Sequence, residues 1–194
     1  MPSLHAFTKT LLNKCSPVLL LSLCALPLNA TASSLPKADA ERSSVSIGSA
    51  PSLAVDVAIT PHLMVGGAAG IPLLYDGLGF LRYDLRTSYL LLQKENLYIR
   101  AIGGTFGDIN LRTEVERELS PFGIEAGIAV AYHFNEHFIG RVNIVAGIGF
   151  PKSTGLGLFA PSGGIEVAFR PTENLEAIAG FNGNSDLLSV RYLF

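Results

Sequence analysis

The sequence predicts an all-β protein whose strands close into an antiparallel up-and-down transmembrane β-barrel of about ten strands, with eight strands as the alternative. Three observations lead to this prediction. Apolar side chains alternate strictly with small or polar ones along many short segments. The small and polar face of these segments is unlike a water-facing surface, and aromatic residues gather at the segment ends. A length of 194 residues fits one domain.

The composition excludes several other classes of protein. The chain is 48% hydrophobic and 15% charged, whereas a disordered chain is highly charged and poor in large apolar residues. Its formal net charge is -2, with 14 basic and 16 acidic residues, so no nucleic-acid partner is expected. No apolar run reaches the ~18–20 residues that a membrane-spanning helix needs. The apolar residues are instead distributed over many short segments.

Residues 1–32 are predicted to be a cleaved secretory signal peptide. Lys9 and Lys14 precede an apolar stretch at residues 18–28, which is too short to span a bilayer. The small residues around Ala32 then match the pattern that a signal peptidase requires. Cleavage is expected after Ala32, and an N-terminal anchor helix that stays attached is the alternative.

Both cysteines of the chain, Cys15 and Cys24, lie in this predicted signal peptide. The cleaved chain would therefore enter an oxidising compartment with no disulfide to form and no cysteine metal site. The rest of the sequence divides into a polar leader at 33–41, expected to be disordered, and a single transmembrane β-barrel at 42–194.

The period of two is clearest at residues 122–134. Ile124 and Ile128 belong to an apolar face, whereas Glu125 and Ala129 belong to the opposite face. A strand separates such sets because its successive side chains point to opposite sides. Ten segments are predicted as strands, near residues 43–50, 52–59, 63–70, 79–92, 97–107, 122–134, 138–150, 163–170, 175–182 and 187–194.

The connections between these segments alternate between short polar turns and longer stretches. The longer ones are at 71–79, 108–121 and 151–162, and all three would lie at one end of the barrel. Pro51 interrupts the first pair of segments, so we interpret residues 49–52 as a tight turn. If that first pair lies outside the barrel, the number of strands falls to eight.

A soluble periplasmic β-sandwich is the main alternative, because its strands also alternate. Its second face would meet water and would be rich in Lys, Glu, Thr and Ser. Here that face carries small residues such as Gly123, Ala129 and Ala131, with few charges and no lysine inside a predicted strand. Small residues suit the inside of a narrow closed barrel. The apolar face is then expected to contact lipid, with aromatic residues at both interfaces.

The last strand carries a resemblance to a known family. Leu188, Val190, Tyr192 and Phe194 alternate with a second set, Leu187, Ser189, Arg191 and Leu193, and the sequence ends at Phe194. This pattern resembles the C-terminal strand of small bacterial outer-membrane β-barrel proteins. The resemblance implies a location in the outer membrane of a Gram-negative cell, contact with outer-membrane lipid, and a barrel-assembly machinery that reads Val190, Tyr192 and Phe194 as an assembly signal.

No catalytic site is predicted. The sequence contains no G-x-S-x-G, H-E-x-x-H or P-loop motif. His133 lies on the inward face, but the residues after it do not include the serine that a deacylase-like site would need. A lipid-modifying enzyme is therefore a distant alternative. We expect no catalytic residues, no cofactor and no metal site.

The inward-facing charges form the only cluster of chemically active residues. Arg100 belongs to it only if it faces inward, and its segment has apolar residues on both faces. A charged channel lining and a self-neutralising plug are both possible interpretations. We favour the plug, because arginine–carboxylate pairs in a narrow lumen leave little room for water. The cluster comprises Asp56, Arg82, Asp84, Arg86, Glu125, Arg141, Glu166, Arg170, Glu176 and Arg191.

These observations predict an outer-membrane barrel with a structural or surface-interaction role. A narrow pore or carrier for small solutes is the first alternative, and the soluble sandwich is the second. The charged connection at 108–121 is the candidate for contact with a partner at the cell surface.

Overall fold

A computed structural model of the chain describes residues 35–39, 41–71, 79–111, 119–150, 162–182 and 187–194, and the backbone of 153–157. The predicted signal peptide at 1–32 lies outside these residues. So do most of the connections at 71–79 and 151–162 and the middle of the connection at 108–121.

Every regular element within the described ranges is a β-strand. No helix in this part of the chain is long and apolar enough to cross a membrane. The eleven strands are β1 (Ser44–Gly48), β2 (Ser52–Ala58), β3 (Leu63–Gly70), β4 (Phe80–Lys94), β5 (Leu97–Asn110), β6 (Phe122–His133), β7 (Phe138–Phe150), β8 (Ser153–Gly157), β9 (Gly164–Thr172), β10 (Leu175–Asn182) and β11 (Leu188–Leu193).

Ten of these strands close into an antiparallel barrel. Each strand from β1 to β7 pairs with the next one, β7 pairs with β9, and β9, β10 and β11 follow in order. The ladder between β11 and β1 closes the barrel, with Leu193 opposite Ser44. Residues 49–51 form the turn between β1 and β2, so the first pair belongs to the wall. The prediction of a closed barrel with ten strands is confirmed.

Two features differ from the predicted connections. The short strand β8 pairs with residues 145–149 of β7, in a region that we expected to be a connection. The strand β5 continues to Asn110, three residues beyond its predicted end at 107, so Asp108 belongs to the wall. Asp108 lies opposite Arg82 in the β4–β5 ladder, and the ion pair between them supports the extra length of this hairpin.

The two faces of the wall differ sharply in chemistry. On β6 and β7, Ile128 and Ile144 are 47% and 61% exposed, whereas Ala129 and Val145 on the other face are fully buried. Among the charged residues of the described strands, only Lys94 at the end of β4 is exposed. The outside of the barrel is therefore apolar and the inside carries the charges.

The barrel has two unlike ends. We call the end with the turns at 59–62, 95–96, 134–137 and 173–174 the short-turn rim, and the opposite end the long-connection rim. The chain before β1 enters the interior near the short-turn rim. Residues 35–39 are all buried there, which differs from the disordered leader that we expected.

Candidate functional site

The interior of the barrel, which we call the lumen, collects the predicted charged residues. It buries eight of the ten, and Arg82 and Arg170 are partly buried. Arg100, whose face was ambiguous in the sequence, is also buried inside. Its register explains this, because it lies opposite Ala129 of β6, whose side chain faces the lumen.

Arg141 is the centre of the larger charge cluster. Its guanidinium group donates to Asp39 of the leader at 2.7 and 3.0 Å, to Glu166 of β9 at 2.8 Å and to Glu176 of β10 at 2.9 Å. The strand register supplies the first of the wall contacts, since Arg141 lies directly opposite Glu166. Guanidinium forks pair with carboxylates at two points, so this geometry orients all four groups.

Two further arginines complete this cluster. Arg170 donates through Nε to Glu176 at 3.1 Å, and Arg191 lies 3.4 and 3.5 Å from Glu176 and Glu166. Three guanidinium groups thus share three carboxylates, and one of these carboxylates belongs to Asp39 in the leader. Without Asp39, this cluster would hold three arginines and two carboxylates.

A second cluster surrounds Arg86 of β4. Its guanidinium group lies 3.1 Å from Asp56 and 2.9 Å from Asp84. Gly66 of β3 lies between two of these residues in the sheet. It is opposite Asp56 of β2 on one side and opposite Arg86 of β4 on the other. A Cβ atom at this position would collide with the Asp56 carboxylate, so the absence of a side chain at Gly66 makes room for the ion pair.

Side chains of the wall also hold the main chain of the leader. Arg191 donates to the carbonyl oxygen of Leu35 at 2.9 Å, and Asn143 donates to that of Pro36 at 3.0 Å. Arg100 donates to the carbonyl oxygen of Ala38 at 2.9 Å. Buried carbonyl groups need such donors, because no water reaches them there.

The leader also packs against apolar parts of the wall. Ala38 belongs to the buried cluster that contains Ala129, Ala131 and Ala168. We interpreted these small inward residues as the sign of a narrow lumen. In the structure they leave the space that the leader fills.

A second segment enters the lumen after β8. Ser162 is fully buried, and both its backbone N–H and its hydroxyl group donate to the carboxylate of Glu125. Its carbonyl oxygen accepts a hydrogen bond from Asn143, the same side chain that holds Pro36. Asn143 therefore joins this segment to the leader.

A cavity of about 550 Å³ opens beside the leader near the short-turn rim. Lys37, Asp39, Tyr98 and His133 are among the residues that line it. Burial and the positive charge of Arg191 lower the pKa of Lys37 to about 7. His133 lies 3.2 Å from Asp39 through Nε2, so this histidine helps to hold the leader. Among the described residues, no group of three or more His, Cys, Asp or Glu could hold a metal ion.

The residues of the predicted assembly signal lie together on the outside. Val190, Tyr192 and Phe194 are exposed on one face of β11 and beyond its end. The backbone N–H of Phe194 donates to the carbonyl oxygen of Ser43 at 3.0 Å, which fixes the end of the chain beside the start of β1.

Sequence reasoning missed Asp39 and Ala38 of the leader, and it missed Asn143 of β7, which donates to the leader. The number of inward charges gives no signal for these residues, because Asp108, which pairs with Arg82 inside the barrel, brings the wall to six arginines and six carboxylates. The carboxylate that balances the larger cluster comes from Asp39. The chain matches no protein-family model and no curated protein.

Proposed function

We propose that the protein is an integral outer-membrane β-barrel with a charge-paired, plugged lumen and a structural or surface-interaction role. The observation that carries this proposal is the inverted polarity of the barrel. The charges of the described strands point inward, apart from Lys94 at the end of β4, and large apolar side chains dominate their outer face.

The energetics of the outer surface support a lipid environment. Ile47, Leu85 and Phe134 are each more than 60% exposed, and many other large apolar side chains share their face. Soluble monomers rarely expose apolar patches of more than a few hundred Å². A soluble sandwich would bury these side chains between its sheets and direct its charges to water, which is the reverse of this arrangement.

The closed ladder is also what a lipid environment requires. Every unpaired backbone group in the hydrocarbon region costs several kcal/mol, so only a barrel without edges can cross it with strands. The β1–β11 ladder joins the first and last strands, so the wall of ten strands is closed.

The aromatic residues support an orientation. Phe138 and Phe169 contact each other near the short-turn rim, with ring centroids 5.1 Å apart, and Tyr192 and Phe194 lie near the same rim. Phe122 and Phe150 stack near the long-connection rim. Aromatic side chains favour both membrane interfaces, so the belt between these two groups would be the spanning part. In this orientation the short-turn rim faces the periplasm.

A narrow pore for small solutes is the second candidate function. The cavity of about 550 Å³ near the short-turn rim favours it, because it provides a polar entrance to the lumen. The leader and Ser162 argue against a continuous water-filled passage, since both are buried inside the barrel. A surface contact through 108–121 is proposed on the charge of that connection, whose central residues lie outside the described ranges.

Fractionation of cells with a heat-modifiability gel tests the main proposal. We expect the protein in the outer-membrane fraction, resistant to SDS when unheated and shifted in mobility after boiling. A soluble sandwich would appear in the periplasmic fraction and would show no such shift. That outcome would exclude the membrane proposal.

A further inference from the structure

The leader is bound inside the barrel without forming part of its wall. The ladders that close the barrel begin at Ser44, after the leader has ended. The hydrogen bonds that hold residues 35–39 described above come from side chains of the wall. A segment held in this way is related to the barrel as a ligand is related to its binding site.

The wall supplies a built set of donors for this ligand. Arg191 of β11, Asn143 of β7 and Arg100 of β5 donate to three carbonyl oxygens of a single five-residue segment. All three side chains are at most 1% exposed. Three buried donors from three strands therefore fix the main chain of the bound segment. Because they contact only carbonyl oxygens of the segment, these three hydrogen bonds do not depend on its side chains.

Charge makes the site selective for an acidic residue. Without the leader, Arg141, Arg170 and Arg191 face only Glu166 and Glu176. The carboxylate of Asp39 offsets the remaining positive charge, and Arg141 binds it through two nitrogen atoms. Lys37 of the leader is also buried, and its burial and the charge of Arg191 lower its pKa to about 7, which favours its neutral form. A neutral residue in place of Asp39 would leave these three arginines with two carboxylates, and an excess of buried positive charge is unfavourable.

Size makes the site selective for a small residue before the acid. Ala38 is fully buried against Ala129, Ala131 and Ala168. A larger side chain at this position would overpack the lumen.

The leader also has a route by which it can leave. Glu41 and Arg42 are exposed at the short-turn rim, where Arg42 donates to the carbonyl oxygens of Glu173 and Leu193. The cavity of about 550 Å³ opens beside Lys37 and Asp39 at the same rim. Residues 35–39 can therefore move out past a fixed point at Arg42 while every ladder of the barrel stays paired.

From these observations we infer that the lumen wall is a binding site for a short peptide with a small residue followed by an acidic one, and that the leader occupies this site reversibly. The protein thus carries its own ligand, and the ion pair between Asp39 and Arg141 holds this ligand in the site. A free peptide of the same chemistry competes for the site when the leader is out.

Cysteine labelling in detergent tests the docked state, because residues 33–194 contain no cysteine. Ala38→Cys places a thiol in the buried part of the leader, and Glu41→Cys is the exposed control. With a hydrophilic maleimide, we expect Ala38→Cys to react at least about ten-fold more slowly than Glu41→Cys, since labelling must wait for opening. When Asp39→Asn is added to Ala38→Cys, the leader should leave the lumen, and the labelling rate at Ala38→Cys should rise to that of Glu41→Cys. The heat-modifiable band should persist, because the barrel itself stays folded.

Peptide binding tests the site itself. The Asp39→Asn barrel should bind a fluorescent peptide of residues 33–41, and anisotropy measures this binding. The same peptide carrying Asp39→Asn should bind at least about ten-fold more weakly, because charge pairing selects the acid.

For the labelling experiment, Lys37→Cys is a second buried reporter should Ala38→Cys fail to fold.

Four results would overturn the inference. In the labelling experiment, these are equal labelling of Ala38→Cys and Glu41→Cys in the otherwise unchanged chain, and continued protection of Ala38→Cys when Asp39→Asn is also present. The other two are loss of the heat-modifiable band in the Asp39→Asn variant and equal binding of the two peptides. Since each step is done in detergent, none of these results bears on the proposed membrane location.

Discussion

Arg141 and Asp39 are 102 positions apart in the sequence, yet the Arg141 guanidinium group donates to both carboxylate oxygens of Asp39, at 2.7 and 3.0 Å. This two-point contact joins the leader to the middle of the wall. It also completes the charge balance of the larger cluster, because Glu166 and Glu176 alone cannot neutralise three arginines. The most sensitive predictions therefore concern this pair.

Replacing Arg141 with alanine should strongly destabilise the barrel. Asp39, Glu166 and Glu176 would then face one another with too little positive charge, and breaking a buried ion pair costs about 3–5 kcal/mol. Arg82→Ala is the control, since Arg82 is more exposed than Arg141 and pairs with Asp108, whereas Arg141 contacts three carboxylates, so the removal of Arg82 should cost less. Urea unfolding in detergent measures both. Similar losses for the two variants would contradict the central role of Arg141.

The contribution of Asp39 should depend on pH in one direction. Burial would raise the pKa of Asp39, but the charge of Arg141 holds it well below its ordinary value of 3.8. The stabilisation is then fully present at neutral pH and is lost as the pH falls below about 4 towards the lower folded-state pKa. The difference in Tm between the unchanged chain and Asp39→Asn should shrink only in that acidic range. A difference that already vanished near pH 6 would contradict this assignment.

Replacing Ile128 with arginine should cost about 2–4 kcal/mol of folding free energy in lipid vesicles, because a charge on the lipid-facing side near the middle of the bilayer is strongly unfavourable. Ile128→Leu keeps an apolar side chain at the same place and should have little effect. Equal stabilities of the two variants would mean that this face does not contact lipid.

Phe194→Ala should reduce outer-membrane insertion in cells more than refolding in detergent, because the side chain serves recognition as well as anchoring. The substitution keeps the backbone hydrogen bond to Ser43. Phe134→Ala is the control, since Phe134 is 63% exposed near the short-turn rim and Phe194 is 59% exposed. Insertion assays in cells should separate the two variants. An equal effect of both would reduce the role of Phe194 to interface anchoring.

The unchanged protein should produce no steady channel in planar bilayers. The leader and Ser162 fill the lumen, and an aqueous channel needs about 16 strands. Glu125→Ala should destabilise the protein or open a small leak, because Ser162 loses its acceptor. Steady single-channel conductance from the unchanged chain would instead favour the narrow-pore function.

The wall of this barrel was predictable from sequence because a period of two assigns each side chain to a face. Arg141 and Glu166 were placed inside on that ground alone. Irregular places were less predictable. At the register shift between Leu90 and Leu92, both Leu91 and Leu92 are exposed, and a run of leucines gives no sign of it.

The leader could not be predicted in the same way. Residues 35–39 have no periodicity, and their position depends on carbonyl contacts to side chains from distant strands. Such contacts are set by the closed barrel, so a polar segment ahead of the first strand looks like an ordinary tail.

Fluorescence quenching tests the central claim, that the apolar outer face contacts lipid, most directly. Ile144 is 61% exposed in the middle of β7, and Glu136 is exposed in a turn of the short-turn rim. Each is replaced by cysteine, labelled with a small fluorophore and reconstituted into vesicles. We expect brominated acyl chains to quench the label at Ile144→Cys and aqueous iodide to quench the label at Glu136→Cys. Strong iodide quenching at Ile144→Cys, with no effect of brominated lipid, would contradict the account.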